Sequence, residues 1–415
     1  MFLGLGVLEF VIIVFVTLLL FAPRLGKLGK GFSEARREFK RTASGDANGE
    51  SEKRKPSSSE QPAPHPTDTS ATASRKSASG KGHHRIVRVL VGVVAAMGIA
   101  WVALVVASNA VWGRSAMATL SEWYLAAAGT ERIFAGGQAT ADYLAERAAV
   151  EDDPYEVPGN VRFSVSVAQT DFEGMQVFRM NGESDTGKAV LYIHGGAYVN
   201  EIGTSHWSFL DAVASQSGAQ VVVPLYKLAP NHTYDEVWPS MLSLYRSVAE
   251  EFGADNVTLM GDSAGGGFAA ALAEDLAQRG EQQPGQLVLL SPWVDISCAS
   301  PEMADYEGAD PMLSAPGLAD MGRAWAGAAW NDDPTQMDWR LSPLNGDLSG
   351  LRNVHVYVGT REIFYPDVTA FVQKAEEAGV ACELVVGQGL NHVWPVYPTP
   401  EASAAQADIA AIVAG

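Results

Sequence analysis

Residues 256–278 read NVTLMGDSAGGGFAAALAEDLAQ, and this stretch decides the fold. Its first five residues form a short, mainly apolar run of strand character. Gly261-Asp262-Ser263-Ala264-Gly265 follows as a G-x-S-x-G, and the small-residue run 266–278 reads as a helix. Strand, sharp turn and helix in that order present a serine hydroxyl at a helix amino terminus, because small neighbours tolerate the strained turn. Ser263 is therefore the predicted nucleophile. The amide of Ala264 is a predicted donor to an oxyanion.

About 70 residues upstream, the strand-like KAVLYI at 188–193 runs into His194-Gly195-Gly196-Ala197-Tyr198. Paired glycines let backbone amides face a ligand without side-chain obstruction, which suits the charge developing on a carbonyl oxygen in acyl transfer. Gly195 and Gly196 are the candidate donors, although an HGG triplet alone is also what an ordinary turn looks like.

A serine hydroxyl is a weak nucleophile at neutral pH and needs a base oriented by an acid. His392, in the glycine-bearing loop GQGLNHVW after the strand-like 382–386, is the predicted base. His355 sits inside the strand-like NVHVYV instead. The strand at 354–358 leads into GTREIFYPD, which offers two acids. Glu362 lies near the strand end, where such an acid is expected; Asp367 opens the next helix, where it can serve as a cap. Tyr226 and Trp293 read as core aromatics. This chemistry requires no metal and no cofactor.

The motif set resembles the hormone-sensitive-lipase-like esterases and acetyl hydrolases. LYIHGGAYV is similar to their oxyanion motif, VVVPLYKLAPNHTYDEVWPS to their strand and Y-x-L-A-P segment, and GDSAGGG to their elbow. LLSPWVDIS, DPMLS and GQGLNHVWPVY follow in order. The resemblance implies an α/β-hydrolase fold over residues 161–415: a mostly parallel central sheet with helices on both faces and an amino-terminal helical cap at 118–160. It also implies a serine carboxylesterase or lipase-like enzyme that acts on small-acyl esters through an acyl-enzyme. Two positions depart from the pattern. Ala197 replaces the third glycine, and Glu362 replaces the usual aspartate.

The first part of the chain is different in kind. Residues 1–88 hold 15 Lys+Arg and 8 Asp+Glu, leaving 14 and 40 in the rest, so a basic segment precedes a strongly acidic body. That acidity disfavours nucleic acid as a partner. Residues 1–22 and 86–110 are each apolar over about 20 residues, enough to cross a hydrocarbon core as two transmembrane helices. The basic residues between them place the connection in the cytoplasm by the positive-inside rule. The expectation is a multi-pass cell-membrane protein with an extracytoplasmic catalytic domain. Within the connection, 23–41 reads as a basic amphipathic helix or, alternatively, a solvated charged run, and 42–85 as a disordered cytoplasmic linker. The run LEFVIIVFVTLLLFAPRLGKLGKGFSEARREFKR resembles the small single-span subunits of the twin-arginine protein translocase, with Ala22 at their hinge glycine. This likeness supplies the alternative reading, a translocase-related membrane component whose hydrolase domain is a binding module. The expected partners are a small-molecule ester and a lipid bilayer. Cys298 and Cys382 are the only cysteines, too few for a disulfide framework, with a single bridge between them left open.

Overall fold

The computed structural model describes residues 80–150 and 154–415. The first predicted span, the amphipathic helix, most of the linker and the translocase-like segment lie outside the described residues. Helix α1 (Gly80–Trp112) contains, over Val89–Trp112, a stretch long and apolar enough to cross a membrane, with a mean hydropathy of 2.7. Its Val91, Ile99, Val106 and Val111 are exposed. The helix is longer than expected at both ends. Residues 80–85, read as linker, are helical: no proline interrupts the hydrogen bonding there, despite Gly80 and Gly82, and extending an existing helix costs less than starting one.

Three short helical pieces follow: α2 (Ala116–Ala128), a 3₁₀ turn (Thr130–Phe134) and α3 (Gly137–Ala148). Ser115 caps α2 by accepting a hydrogen bond from the Ala118 amide at 3.1 Å, and Gly129 ends it in the left-handed region. These pieces span Ala116–Ala148 and so overlap the segment 118–160 that the sequence reading assigns to a cap. Arg147 Nε donates to the Val199 carbonyl at 3.2 Å and Asn231 Nδ2 to the Ala148 carbonyl at 3.0 Å, so α3 lies against the loop that carries Gly195 and Gly196.

Eight strands form one sheet: β1 (Val167–Phe172), β2 (Met175–Met180), β3 (Ala189–Ile193), β4 (Gln220–Leu225), β5 (Val257–Asp262), β6 (Gln286–Leu290), β7 (Val354–Gly359) and β8 (Cys382–Gly387). Their order is β1-β2-β4-β3-β5-β6-β7-β8. The pairs β1–β2 and β2–β4 are antiparallel and the other five are parallel, as the fold resemblance implied.

The central strands are buried on both faces, which is why they read as near-continuous apolar runs. Alternation still sorts their side chains. Leu191, Ile193, Leu259 and Leu289 join one core, with Met241 and Tyr245 of α5 (Tyr234–Phe252), Leu272 of α6 (Ser263–Gln278) and Phe371 of α8 (Tyr365–Glu377). Val190, Tyr192, Met260 and Val288 join the other, with Trp207 and Leu210 of α4 (Thr204–Ser217) and Ile409 of α9 (Pro400–Ala414). Truncating a fully buried residue such as Leu272 to Ala costs about 2–5 kcal/mol. Helix α7 (Ala315–Ala326) follows α6 in the chain, and its Met321 and Trp325 join the first core. Parallel strands put all their following loops at one edge of the sheet, and β5, β7 and β8 deliver Ser263, Glu362 and His392 to that edge.

Candidate active site

Ser263 is the first residue of α6 and takes φ 52°, a left-handed conformation a side chain rarely adopts. The strain is held by packing on both sides of the turn. A Cβ on Gly265 would meet the Ile193 carbonyl oxygen at 2.0 Å, so only glycine lets the elbow seat on β3.

The Ser263 hydroxyl lies 2.9 Å from His392 Nε2, and His392 Nδ1 lies 2.5 Å from Glu362 Oε2. All three residues are buried, with Ser263 7 % exposed at the mouth of the arrangement. The acid is fixed from behind: Glu362 Oε1 accepts from the Ser291 hydroxyl at 2.8 Å and from the Gly359 amide at 2.5 Å. The same Ser291 oxygen accepts from the Val393 amide at 2.9 Å, which ties the residue after the base to the acid. Phe364 packs edge-on against the imidazole. A base so placed can take the hydroxyl proton while its other nitrogen donates to a carboxylate, the geometry acyl transfer to serine requires.

Asp367, the second candidate acid, has no contact of this kind. It is buried in the first turn of α8, and burial, with Asp295 nearby, pushes its carboxyl up to about 7. The 367 carboxyl does not meet His392, and no hydrogen bond from it caps the helix either.

The oxyanion donors divide differently from the sequence expectation. Gly195 N–H donates to Asp262 Oδ1 at 2.8 Å, so that amide is committed to the protein itself. The reason is the carboxylate beside Ser263, which also accepts from the Tyr192 hydroxyl at 2.5 Å and pairs with His206 Nε2 at 3.1 Å. The amides of Gly196 and Ala264 are the remaining candidates. Ala197 and Tyr198 both follow with positive φ, 56° and 61°, which turns this loop sharply after β3.

Burial alone would raise Asp262, but His206 and the other donors hold its carboxyl below the usual range. Asp262 in turn outweighs burial at His206, whose imidazole is pushed up. Burial lowers His194 to about 4, which keeps it neutral; its Nδ1 lies 2.8 Å from the Gly195 carbonyl.

Sequence reasoning missed Ser291, the Tyr192–Asp262–His206 network and Asp310. Asp310 Oδ1 accepts from the Met312 and Leu313 amides at 2.9 and 3.0 Å, and Oδ2 from the Ile363 amide at 3.1 Å, next to Glu362. The available signals were LLSPW and DPMLS, which follow the family pattern without announcing what their polar residues hold. Tyr226 and Trp293 are core, as read: both are buried, and the Tyr226 hydroxyl donates to the His194 carbonyl at 2.7 Å. Cys298 and Cys382 are free thiols.

A family profile described as alpha/beta hydrolase fold matches residues 190–396. The chain is 31% identical over 230 residues to a triacylglycerol lipase of Mycobacterium tuberculosis, covering 55% of this chain and 47% of that one. It is 30% identical over 250 residues to an esterase of Acinetobacter venetianus, covering 60% of this chain and 81% of that one. Among solved structures, a candidate esterase from Staphylococcus aureus superposes with a TM-score of 0.64 at 27% identity, covering 68% of this chain and 94% of that one. The chain thus spans about half the length of the M. tuberculosis lipase and most of the other two. With its strand order, its elbow and these relatives in agreement, the chain belongs to the α/β-hydrolase-fold esterases and is a carboxylesterase-type hydrolase.

Proposed function

We infer that the chain is a membrane-anchored serine carboxylester hydrolase acting on small-acyl esters through an acyl-enzyme. The observation that carries this reading is the unbroken run of contacts from the Ser263 hydroxyl to His392 and on to Glu362, at 2.9 and 2.5 Å. His392 removes the hydroxyl proton as Ser263 attacks the ester carbonyl, and Glu362 stabilises the imidazolium that forms. The Gly196 and Ala264 amides receive the negative charge on the carbonyl oxygen. His392 then protonates the departing alcohol and activates water to hydrolyse the acyl-serine. Small acyl groups are favoured by the motif likeness to acetyl hydrolases. Anchoring is supported by the apolar stretch Val89–Trp112 and by the basic residues ahead of it. The acidic body then lies on the extracytoplasmic side. The translocase-related alternative needs an interrupted triad, and the intact contacts leave it without support.

Ser263→Ala tests the reading. It is expected to reduce turnover of a short-chain aryl ester by about 10³-fold or more and to abolish labelling by a fluorophosphonate probe; retained labelling overturns the assignment. A panel of esters from acetyl to palmitoyl tests acyl size, with the highest kcat/KM expected at the short end. Reporter fusions at Gly80 and Gly415 are expected on opposite sides of the membrane, and the same side for both refutes the anchor orientation.

A further inference from the structure

The segment that leaves the apolar helix does not behave as a tether. Arg114, two residues past the end of α1, is 3 % exposed and sends its guanidinium inward. Nη1 donates to Glu122 and, at 2.6 Å, to the carbonyl of Gly389; Nε donates to Thr119 Oγ1 at 3.1 Å. Glu122, on the buried face of α2, is gripped from the other side by Arg361, whose Nε and Nη2 reach its two carboxylate oxygens at 3.1 Å each. Arg361 immediately precedes Glu362, and Gly389 lies three residues before His392. The two loops are also sewn to each other: the Arg361 amide donates to the Leu390 carbonyl at 3.0 Å, and the Gly389 amide donates to Thr360 Oγ1 at 2.8 Å. A further observation fixes the same place. Gly389 takes φ +68°, and a Cβ there would meet the carbonyl oxygen of Trp112, the last residue of α1, at 2.0 Å.

A buried arginine is costly unless its charge is answered, and here one carboxylate answers two guanidiniums that lie 247 residues apart in the chain. Such an arrangement has one satisfied geometry, so it fixes whatever its members are attached to. We propose that Arg114, Glu122 and Arg361 are positioning residues that clamp the acid-bearing and base-bearing loops onto the segment emerging from the apolar helix, holding Glu362 and His392 in register. The inference rests on the triad reading. None of the three touches the reacting atoms; they act through the loop roots.

The test uses the full chain with Glu122→Gln, Arg361→Met, Arg361→Lys and the double variant E122Q/R361M, assayed on a soluble short-chain aryl ester alongside melting temperature. Glu122→Gln and Arg361→Met are each expected to lower kcat by about 10- to 100-fold while KM changes by less than about threefold, because misplacement of the triad affects the chemical step rather than binding. Arg361→Lys restores part of the loss. The double variant is expected to lose no more than the worse single variant, since Glu122→Gln already breaks the contact that Arg361→Met removes. Where Glu122→Gln fails to fold, Arg361→Met carries the test, its side chain being 28 % exposed. Wild-type kcat in Arg361→Met, or fully additive losses in the double variant, overturns the clamp. If Ser263→Ala also retains turnover, the triad reading has failed; if Ser263→Ala is dead and Arg361→Met is silent, only the clamp has failed.

Discussion

Oε1 of Glu362 and the backbone amide of Val393 meet on the two sides of one hydroxyl, that of Ser291, at 2.8 and 2.9 Å. The hydroxyl donates to the acid and accepts from the residue that follows the base. Ser291→Ala removes both bonds and leaves a buried N–H without a partner, a loss of about 1–3 kcal/mol. Steady-state kinetics are expected to show about a tenfold lower kcat, with Ser263 still reactive toward a fluorophosphonate. An unchanged kcat denies Ser291 this supporting role.

The choice between the two acids is settled by paired variants. Glu362→Gln keeps the shape but offers His392 no charge, and kcat is expected to fall by roughly 10³–10⁴. Asp367→Asn is expected to leave kcat within about threefold, since the two imidazole nitrogens of His392 are met by Glu362 and Ser263 instead. Comparable losses in the two variants would move the acid role to Asp367.

Glu274, on α6, is fully buried, and neither carboxylate oxygen has a hydrogen-bond partner. Burial pushes its carboxyl up to about 9 against the pull of Lys374. Because the folded value lies above the unfolded one, its contribution is complete below about pH 4.3 and drains away as pH rises toward 9. Relative to Glu274→Gln, the wild-type melting temperature is expected to fall between about pH 5 and about pH 8.5. Parallel curves for the two proteins would show that this carboxyl titrates normally.

The His206–Asp262 pair has the opposite boundaries. Asp262 is depressed, so its contribution is present above about pH 3.9 and lost as acid titrates it below that; His206 is raised, so its contribution is full below about pH 6.5 and lost as pH climbs through its higher folded value. His206→Gln is expected to destabilise the protein most between these limits and less at alkaline pH, measured by urea unfolding at several pH values. A penalty that does not vary with pH would rule out an ionic pair.

Much of the site was legible because strand, elbow and helix are written locally. The G-x-S-x-G needs no distant information to present Ser263, and chain order then points to His392 and narrows the acid to Glu362 or Asp367. What stayed hidden depends on long-range contact. Gly195 was read as an oxyanion donor because two glycines look alike in sequence, and only the fold shows that Asp262, 67 residues later, occupies its amide. Asp367 looked like a cap because it opens a helix, but its burial is set by the packing of α8 on the sheet. The hairpin of β1 and β2 was not singled out, since its turn, Glu173 at φ 53° followed by Gly174 at 83°, is a weaker signal than Asn-Gly. The ends of α1 slid because helix boundaries are set by the first residue that interrupts hydrogen bonding rather than by where hydrophobicity fades.

The snug approach of Gly389 to the Trp112 carbonyl has a practical side. Residues between Ser108 and Ala116 look like spacer in sequence, yet Ser108 is itself buried and its carbonyl accepts from the Arg114 amide. A designer wishing to transplant the hydrolase onto a different support should cut upstream of Ser108 and carry the last turn of the apolar helix along as part of the catalyst.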